Sequence, residues 1–376
     1  VGYLTSNRPN AGGSIAGDSV RVFFDHMLRM PERPVPRLDI FLSSDGGDGT
    51  VPWRLIALFR EFASHVAVLI PYRAYSAATL LAIGANEIVM HPFGELGPID
   101  PTVSNNFNPK EDGRRLGISV EDVRAYVSFI KETVGITHED ELVKTIEILA
   151  NKVHPLALGN VERFVAQSRM IARKLMKTHM REGDDHKIEE IVENLASRLY
   201  FHGHPINRKE AKDELKLNVI VDLQPNLEAA MWELYQQYEA IFQNTKPFKP
   251  AEEVMAAMPP APAAGAGPLV AVKDYDLVHA IIESDSLLSY FSSHKRFTGQ
   301  LTPPAAFTLR EETTGEGWRH EPQVASLPAA KGQSRKAAQG SSPPPLSPST
   351  ARGASPVTTA PFAKIARKNR GKPGKP

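Results

Sequence analysis

The stretch H-V-A-V-L-I-P-Y-R-A-Y-S-A-A-T-L-L-A-I-G-A-N-E-I-V-M, His65 to Met90, sets the architecture. His65 to Pro71 is a short apolar run with the length of a strand, Ser76 to Ala85 is a compact helix, and Glu87 to Met90 is another strand. Toward the N-terminus, Val51 to Ser64 has helical spacing. Leu38 to Leu42 alternates as a strand and runs into S-S-D-G-G-D-G-T, residues 43–50. Before that, Val20, Phe23, Phe24, Met27 and Leu28 recur at helical spacing until P-E-R-P-V-P-R stops them. The order β-loop-α-β-α-β predicts an α/β fold with a parallel sheet covered on both faces. Ligand sites in such sheets lie at the carboxyl ends of the strands. Gly46-Gly47 and Ser76 both follow strands, so they are expected to meet at one edge.

Toward the C-terminus the pattern becomes mainly helical. Ser119 with Asp122 begins a helix in the manner of a capping box, and it reaches about Thr133. Further helices are expected over Thr137–Lys152, Leu156–Met180 and Lys187–Tyr200, then a helix feeding a strand through N-R-K-E-A-K-D-E-L-K-L-N-V-I-V-D-L. Leu227 to Asn244 closes the patterned region as an amphipathic helix. Residues 1–244 are therefore read as one domain with a substantial core. Residues 245–376 are read as a largely disordered Pro/Ala/Ser-rich tail, because A-M-P-P-A-P-A-A-G-A-G-P and S-S-P-P-P-L-S-P-S bury too little surface to offset chain entropy. Within it, Asp274 to Phe291 carries helix-like apolar spacing through Leu277, Ile281, Leu287 and Leu288. The basic end K-I-A-R-K-N-R-G-K-P-G-K-P reads as a solubilising terminus, so no nucleic acid is expected.

The net charge of +1 among 376 residues supplies no strong electrostatic bias, and the lack of cysteine rules out a disulfide framework. No run approaches the roughly 20 apolar residues of a membrane span. A cytoplasmic protein is expected, with membrane association if a leader precedes Val1.

Ser76 has two readings. As the residue before a helix it is a preferred N-cap. As a nucleophile it would sit where the Ala77 amide points at an oxyanion, with a second donor from Gly46 or Gly47. Here the residues acquire a family likeness. L-D-I-F-L-S-S-D-G-G, V-A-V-L-I-P-Y-R-A-Y-S-A-A-T-L-L-A-I-G-A-N-E-I-V-M and G-E-L-G-P-I-D-P resemble the serine dehydrogenase proteinase family, of the Clp peptidase, signal peptide peptidase A and crotonase fold group. H-P-L-A-L-G-N-V-E-R and F-H-G-H-P-I-N-R-K-E-A extend the resemblance over residues 1–244. It implies a Clp/crotonase-like ββα-type core with a mainly helical second half. It also implies a serine peptidase acting on peptide or protein substrates, with Ser76 as nucleophile and Gly46, Gly47 and Ala77 as oxyanion-hole donors.

By position against the Clp peptidases, Asp100 and His202 complete a triad, with their slots exchanged. Triads are recognised by geometry and role, not chain order. His204, His91 and a Lys such as Lys110, as in a Ser-Lys dyad, stay open as alternative bases. His154, before Pro155 at a helix start, reads as structural. No metal is expected, since His202-x-His204 lacks companion ligands at a suitable spacing. No cofactor is expected either, because S-S-D-G-G-D-G-T is not a dinucleotide-binding loop. A homo-oligomer follows from the family likeness, and the tail's partner is unidentified. The alternatives are a crotonase-like acyl-CoA hydratase or hydrolase and a catalytically silent oligomeric scaffold.

Overall fold

A computed structural model describes residues 1–323, apart from 100–101, 104–105, 112–113, 199–203, 261–267 and 303–305. In chain order come β1 (Gly2–Thr5), α1 (Ser19–Met27), β2 (Leu38–Ser43), α2 (Val51–Phe62), β3 (Val66–Ile70), β4 (Arg73–Ala74), α3 (Ala77–Ile83), β5 (Glu87–Met90) and β6 (Glu95–Leu96). Two small pairings, β7 (Thr102–Val103) with β10 (Ile118–Ser119) and β8 (Lys110–Glu111) with β9 (Arg114–Arg115), precede the helical section. That section holds α4 (Val120–Ser128), α5 (Glu139–Ala150), α6 (Pro155–Lys177) and α7 (Asp185–Glu193). Then follow β11 (Ile206–Asn207), α8 (Arg208–Asp213), β12 (Val219–Ile220), α9 (Pro225–Phe242), α10 (Pro250–Ala256), β13 (Leu269–Glu283), β14 (Leu287–Thr302) and β15 (Ala306–Pro322).

The main sheet has the order β12-β5-β3-β2-β1-β13-β14-β15. Its first five strands are mutually parallel, which is the expected α/β class. Side-chain alternation explains how both faces are covered. Tyr3, Leu38, Ile40, Leu42, Val66, Val68, Ile70, Ile88 and Met90 point to one face, beneath residues of α1, α2, α3, α6 and α7. Leu4, Phe41 and Val89 point to the other, where Met231, Tyr235, Tyr238 and Phe242 of α9 cover them. The period of two that puts alternate residues on opposite faces thus builds two cores from one sheet. Among the described residues no helix is long and apolar enough to cross a membrane.

The structure differs from the sequence reading beyond residue 244. The compact unit runs from Val1 to Val324, and β13 joins the sheet beside β1 in antiparallel register, Thr5 opposite Ala280. Leu277 and Ile281 lie in β13 and Leu287 and Leu288 in β14, so the stretch read as helix-like is a hairpin. Its sequence conceals this because both faces are buried near the turn. Ile281 enters the α9 core while its neighbour Ile282 enters the opposite one, which breaks the polar–apolar alternation of a half-buried strand.

The added strands also fix α1. His26 is buried, with Nδ1 2.8 Å from Ser284 Oγ and Nε2 2.9 Å from Ser289 Oγ. Burial pulls its pKa down to about 4, helped by His320, the N-terminus and Arg29 and opposed by Asp25. A folded pKa below the ordinary 6.5 means that the unfolded chain binds more protons between the two values. His26 therefore contributes full stability above about pH 6.5, and that contribution is lost as the pH falls toward 4. Acidification from pH 7 to 4 is expected to cost on the order of 3 kcal/mol through this residue alone. Urea unfolding of wild type and His26→Gln across that window measures it; parallel pH profiles for the two would refute the assignment.

Candidate active site

Three short backbone pairings assemble the edge where the sequence places Ser76. At the end of β2, Ser44 bridges Ala74 of β4. Ala74 pairs with Leu96 of β6, and Leu96 with Ile206 of β11. β4 runs parallel to β6, and β11 runs antiparallel to it. The residues after Ser44, Ala74 and Leu96 and those before Ile206 therefore leave the row at the same end. Strand spacing is roughly 4.8 Å, so Ile206 lies roughly 10 Å from Ala74 along this row. Asp45–Gly47, Tyr75–Ser76, Gly97 and His204 all emerge there.

Ser76 is not a helix cap. It occupies the position before α3, yet its hydroxyl makes no capping bond, and its backbone sits at φ 51°, ψ −114°. A capping serine has extended backbone and spends its oxygen on the helix. A serine held at positive φ costs about 1–3 kcal/mol, a conformation that persists only where the surroundings enforce it. The enforcing contact is Gly46. A Cβ on Gly46 would lie 2.7 Å from Tyr75 O, 2.8 Å from Ser76 Cβ and 3.2 Å from Ala77 N, and Gly46 itself has φ 106°. Gly46 thus stands directly against Ser76, while Gly47 packs on the Ile15 backbone.

The amides of this loop divide. Gly46 N–H donates to Ser44 Oγ at 3.1 Å, and Ser44 Oγ in turn accepts from Thr5 Oγ1 at 2.7 Å. Both hydroxyl residues are buried. Gly47 is clamped from behind by Ile15, whose N–H donates to Gly46 O at 2.7 Å and whose carbonyl accepts from Asp48 N–H at 2.8 Å. Among the described residues no acceptor meets the amides of Gly47 and Ala77. Of the three donors expected from the sequence, Gly46 is thus spent internally, and Gly47 and Ala77 keep free N–H groups. The bracing hydroxyls of Thr5 and Ser44 had no signal in the sequence, since nothing local distinguishes them from ordinary strand-end residues.

The side chains around Ser76 are charged and braced. Tyr75 Oη donates to Glu95 Oε2 at 2.6 Å, and the Arg73 guanidinium lies 3.7 Å from the same carboxylate and 4.6 Å from the Tyr72 ring centre. Partial burial pushes Asp45 above the usual carboxylate range, with Arg73 opposing. Thr79 Oγ1 accepts from Gly97 N–H at 3.2 Å and lies 2.7 Å from Ala74 O, tying α3 to β4 and to the chain beyond β6.

The expected bases have separate fates. Asp100 and His202 lie outside the described residues. His204 emerges at the right edge, but its Nε2 is 2.8 Å from Glu210 Oε1 of α8, a pairing the sequence reading did not weigh. His91 is engaged elsewhere: Nδ1 accepts from Phe93 N–H at 3.0 Å and the ring stacks on Trp232 at 5.5 Å. Burial holds its pKa below the ordinary histidine value. Lys110 is exposed on the β8–β9 hairpin, and no hydrogen bond or ion pair joins it to Ser76. His154 caps α6 by accepting from Leu156 N–H at 3.1 Å, the structural part expected of it. Among the described residues no three metal-ligating side chains gather.

Comparison with known proteins adds the following. No protein-family model matches the chain. Two uncharacterized proteins of Methanocaldococcus jannaschii, MJ1495 and MJ0137, are similar to it. The first is 22% identical over 211 residues, 56% of this chain and 60% of that protein; the second is 25% identical over 202 residues, 53% and 59%. The chain therefore spans about three-fifths of the length of these relatives. Among solved structures, two variants of a 1510-N membrane-bound stomatin-specific protease align with it, the second in complex with a substrate peptide. The first has TM-score 0.36 at 12% identity, covering 58% of this chain and 80% of that one. The second has TM-score 0.35 at 13% identity, covering 57% and 74%.

Proposed function

We propose that the chain is a serine peptidase of Clp/crotonase-like fold, in which Ser76 Oγ attacks a peptide carbonyl and water then hydrolyses the acyl-enzyme. One observation carries the reading: Ser76 is held at positive φ against Gly46, and its hydroxyl makes no capping bond and has no hydrogen-bond partner among the described residues. A structural serine would spend that oxygen on a cap, and the strain would have no return. The free Gly47 and Ala77 amides supply the pair of donors that developing charge on the carbonyl oxygen requires. Gly46 serves by geometry, because any side chain there would displace Ser76.

The base is assigned to the segment before β11, which leaves the strand row at the same end as Ser76. His202 takes the hydroxyl proton, and Asp100, in the segment after β6, orients it. His204 is left with Glu210 as its partner. The division is testable: His202→Ala should lower kcat by roughly 10²–10⁴-fold, and His204→Ala should leave it within severalfold. The reverse ranking would move the base to His204 with Glu210 behind it.

The reading as a whole is tested with a fluorophosphonate probe on the full chain. A single adduct mapped by mass spectrometry to the tryptic peptide holding Ser76 is expected. A protein that stays folded and unlabelled would exclude the acyl-enzyme route.

A further inference from the structure

A cavity lies beyond the glycine loop. Its volume is about 260 Å³, walled on one side by the Gly12–Asp18 segment and on the other by β13, β14 and β15. Ile15, in the middle of that segment, is the residue clamped onto Gly46 and Asp48. One stretch of backbone therefore backs the Ser76 loop and walls the cavity.

The charges in the wall point to a ligand class. The His279 ring is held between Gly12 O at 3.0 Å and Ser293 Oγ at 2.7 Å, and burial lowers its pKa. Lys295 is spent on Glu311, 2.6 Å away. Asp18 accepts the Trp318 indole N–H at 2.8 Å through Oδ2, which fixes the carboxylate at the wall and leaves Oδ1 without a partner among the described residues. Glu316 has no ion pair among the described residues. Two carboxylates thus remain unneutralised beside the Trp318 ring, which packs edge-on to Phe291 at 5.7 Å between centres. A carboxylate fixed at Asp18, the exposed carboxylate of Glu316 and the Trp318 indole together favour an organic cation with an apolar stem.

We propose that this cavity binds a guanidinium or amine group on a short aliphatic stem, with Asp18 and Glu316 taking the charge and Trp318 the stem. The ligand is either a free amino-acid-sized cation or an arginine or lysine side chain of a polypeptide. The site stands independently of the peptidase reading, since none of its residues belongs to the Ser76 machinery.

Isothermal titration calorimetry on the full chain carrying Ser76→Ala tests this, with L-argininamide against L-citrullinamide, its neutral isostere. Argininamide is expected to bind one site at least roughly tenfold more tightly than citrullinamide, and Glu316→Gln to weaken it by a similar factor. Asp18→Asn, which keeps an acceptor for the indole, should act likewise if it folds. A tetrapeptide with internal arginine separates the two sources: tighter binding than argininamide assigns the site to polypeptides, and weaker binding to free cations. Absence of heat with both argininamide and the peptide, equal binding of citrullinamide, or binding unchanged in Glu316→Gln would overturn the proposal. Loss of fluorophosphonate labelling would leave it untouched.

Discussion

Ser76→Ala is expected to abolish fluorophosphonate labelling and to lower peptide hydrolysis by roughly four orders of magnitude or more, because the covalent route disappears with the oxygen. The companion substitution Ser76→Gly is more telling. It is equally inactive, but it removes the side chain from a backbone held at φ 51°, which glycine adopts freely. Ser76→Gly is therefore expected to be more stable than wild type by about 1 kcal/mol or more. That opposition of activity and stability is the signature of strain kept for function. Urea unfolding curves decide it: if Ser76→Gly unfolds at the same or lower denaturant than Ser76→Ala, the backbone at this position is not strained for catalysis.

The largest loss of stability is expected at the glycine pair. In Gly47→Ala the new methyl would lie 2.2 Å from Ile15 O and 2.6 Å from Ile15 N, at φ 150°. Both obstacles are backbone, so no rotamer change relieves them. A destabilisation of about 3–5 kcal/mol is expected, because either the Ile15 clamp opens or the loop leaves Ser76. Gly46→Ala meets Tyr75 O and Ser76 Cβ at under 3 Å and should displace Ser76 even where the chain still folds. Denaturant midpoints and probe-labelling rates separate the two: Gly47→Ala loses stability first, Gly46→Ala labelling first. A Gly47→Ala protein of wild-type stability would mean that the Ile15 clamp is looser than described.

Much of this was legible in the sequence, and the reasons are local. His65–Pro71, Ser76–Ala85 and Glu87–Met90 announced β3, α3 and β5 because a short apolar run, a compact Ala/Leu helix and a second apolar run each have one comfortable conformation. The alternation of strands and helices then required a parallel sheet, and the sheet required Gly46-Gly47 and Ser76 to share an edge. β1 went unread, being four residues at the chain start with no flanking pattern. The hairpin of β13 and β14 was misread, because residues buried on two faces at once lose the period that identifies a strand.

By itself, then, the chain's local chemistry determined the α/β class, the order of its central strands and the neighbourhood of serine and glycine. Folding alone decided that Ser76 stands at positive φ without capping, that Gly46 gives its amide to Ser44 while Gly47 keeps its own, and that His204 pairs with Glu210. Gly46 meets Ser76 across 30 positions, and although Ser44–Gly46 and His204–Glu210 are near neighbours in the chain, no periodic pattern encodes the geometry that joins them. The same holds for the C-terminal strands, whose reason for being strands is the open edge of β1 more than 260 residues earlier.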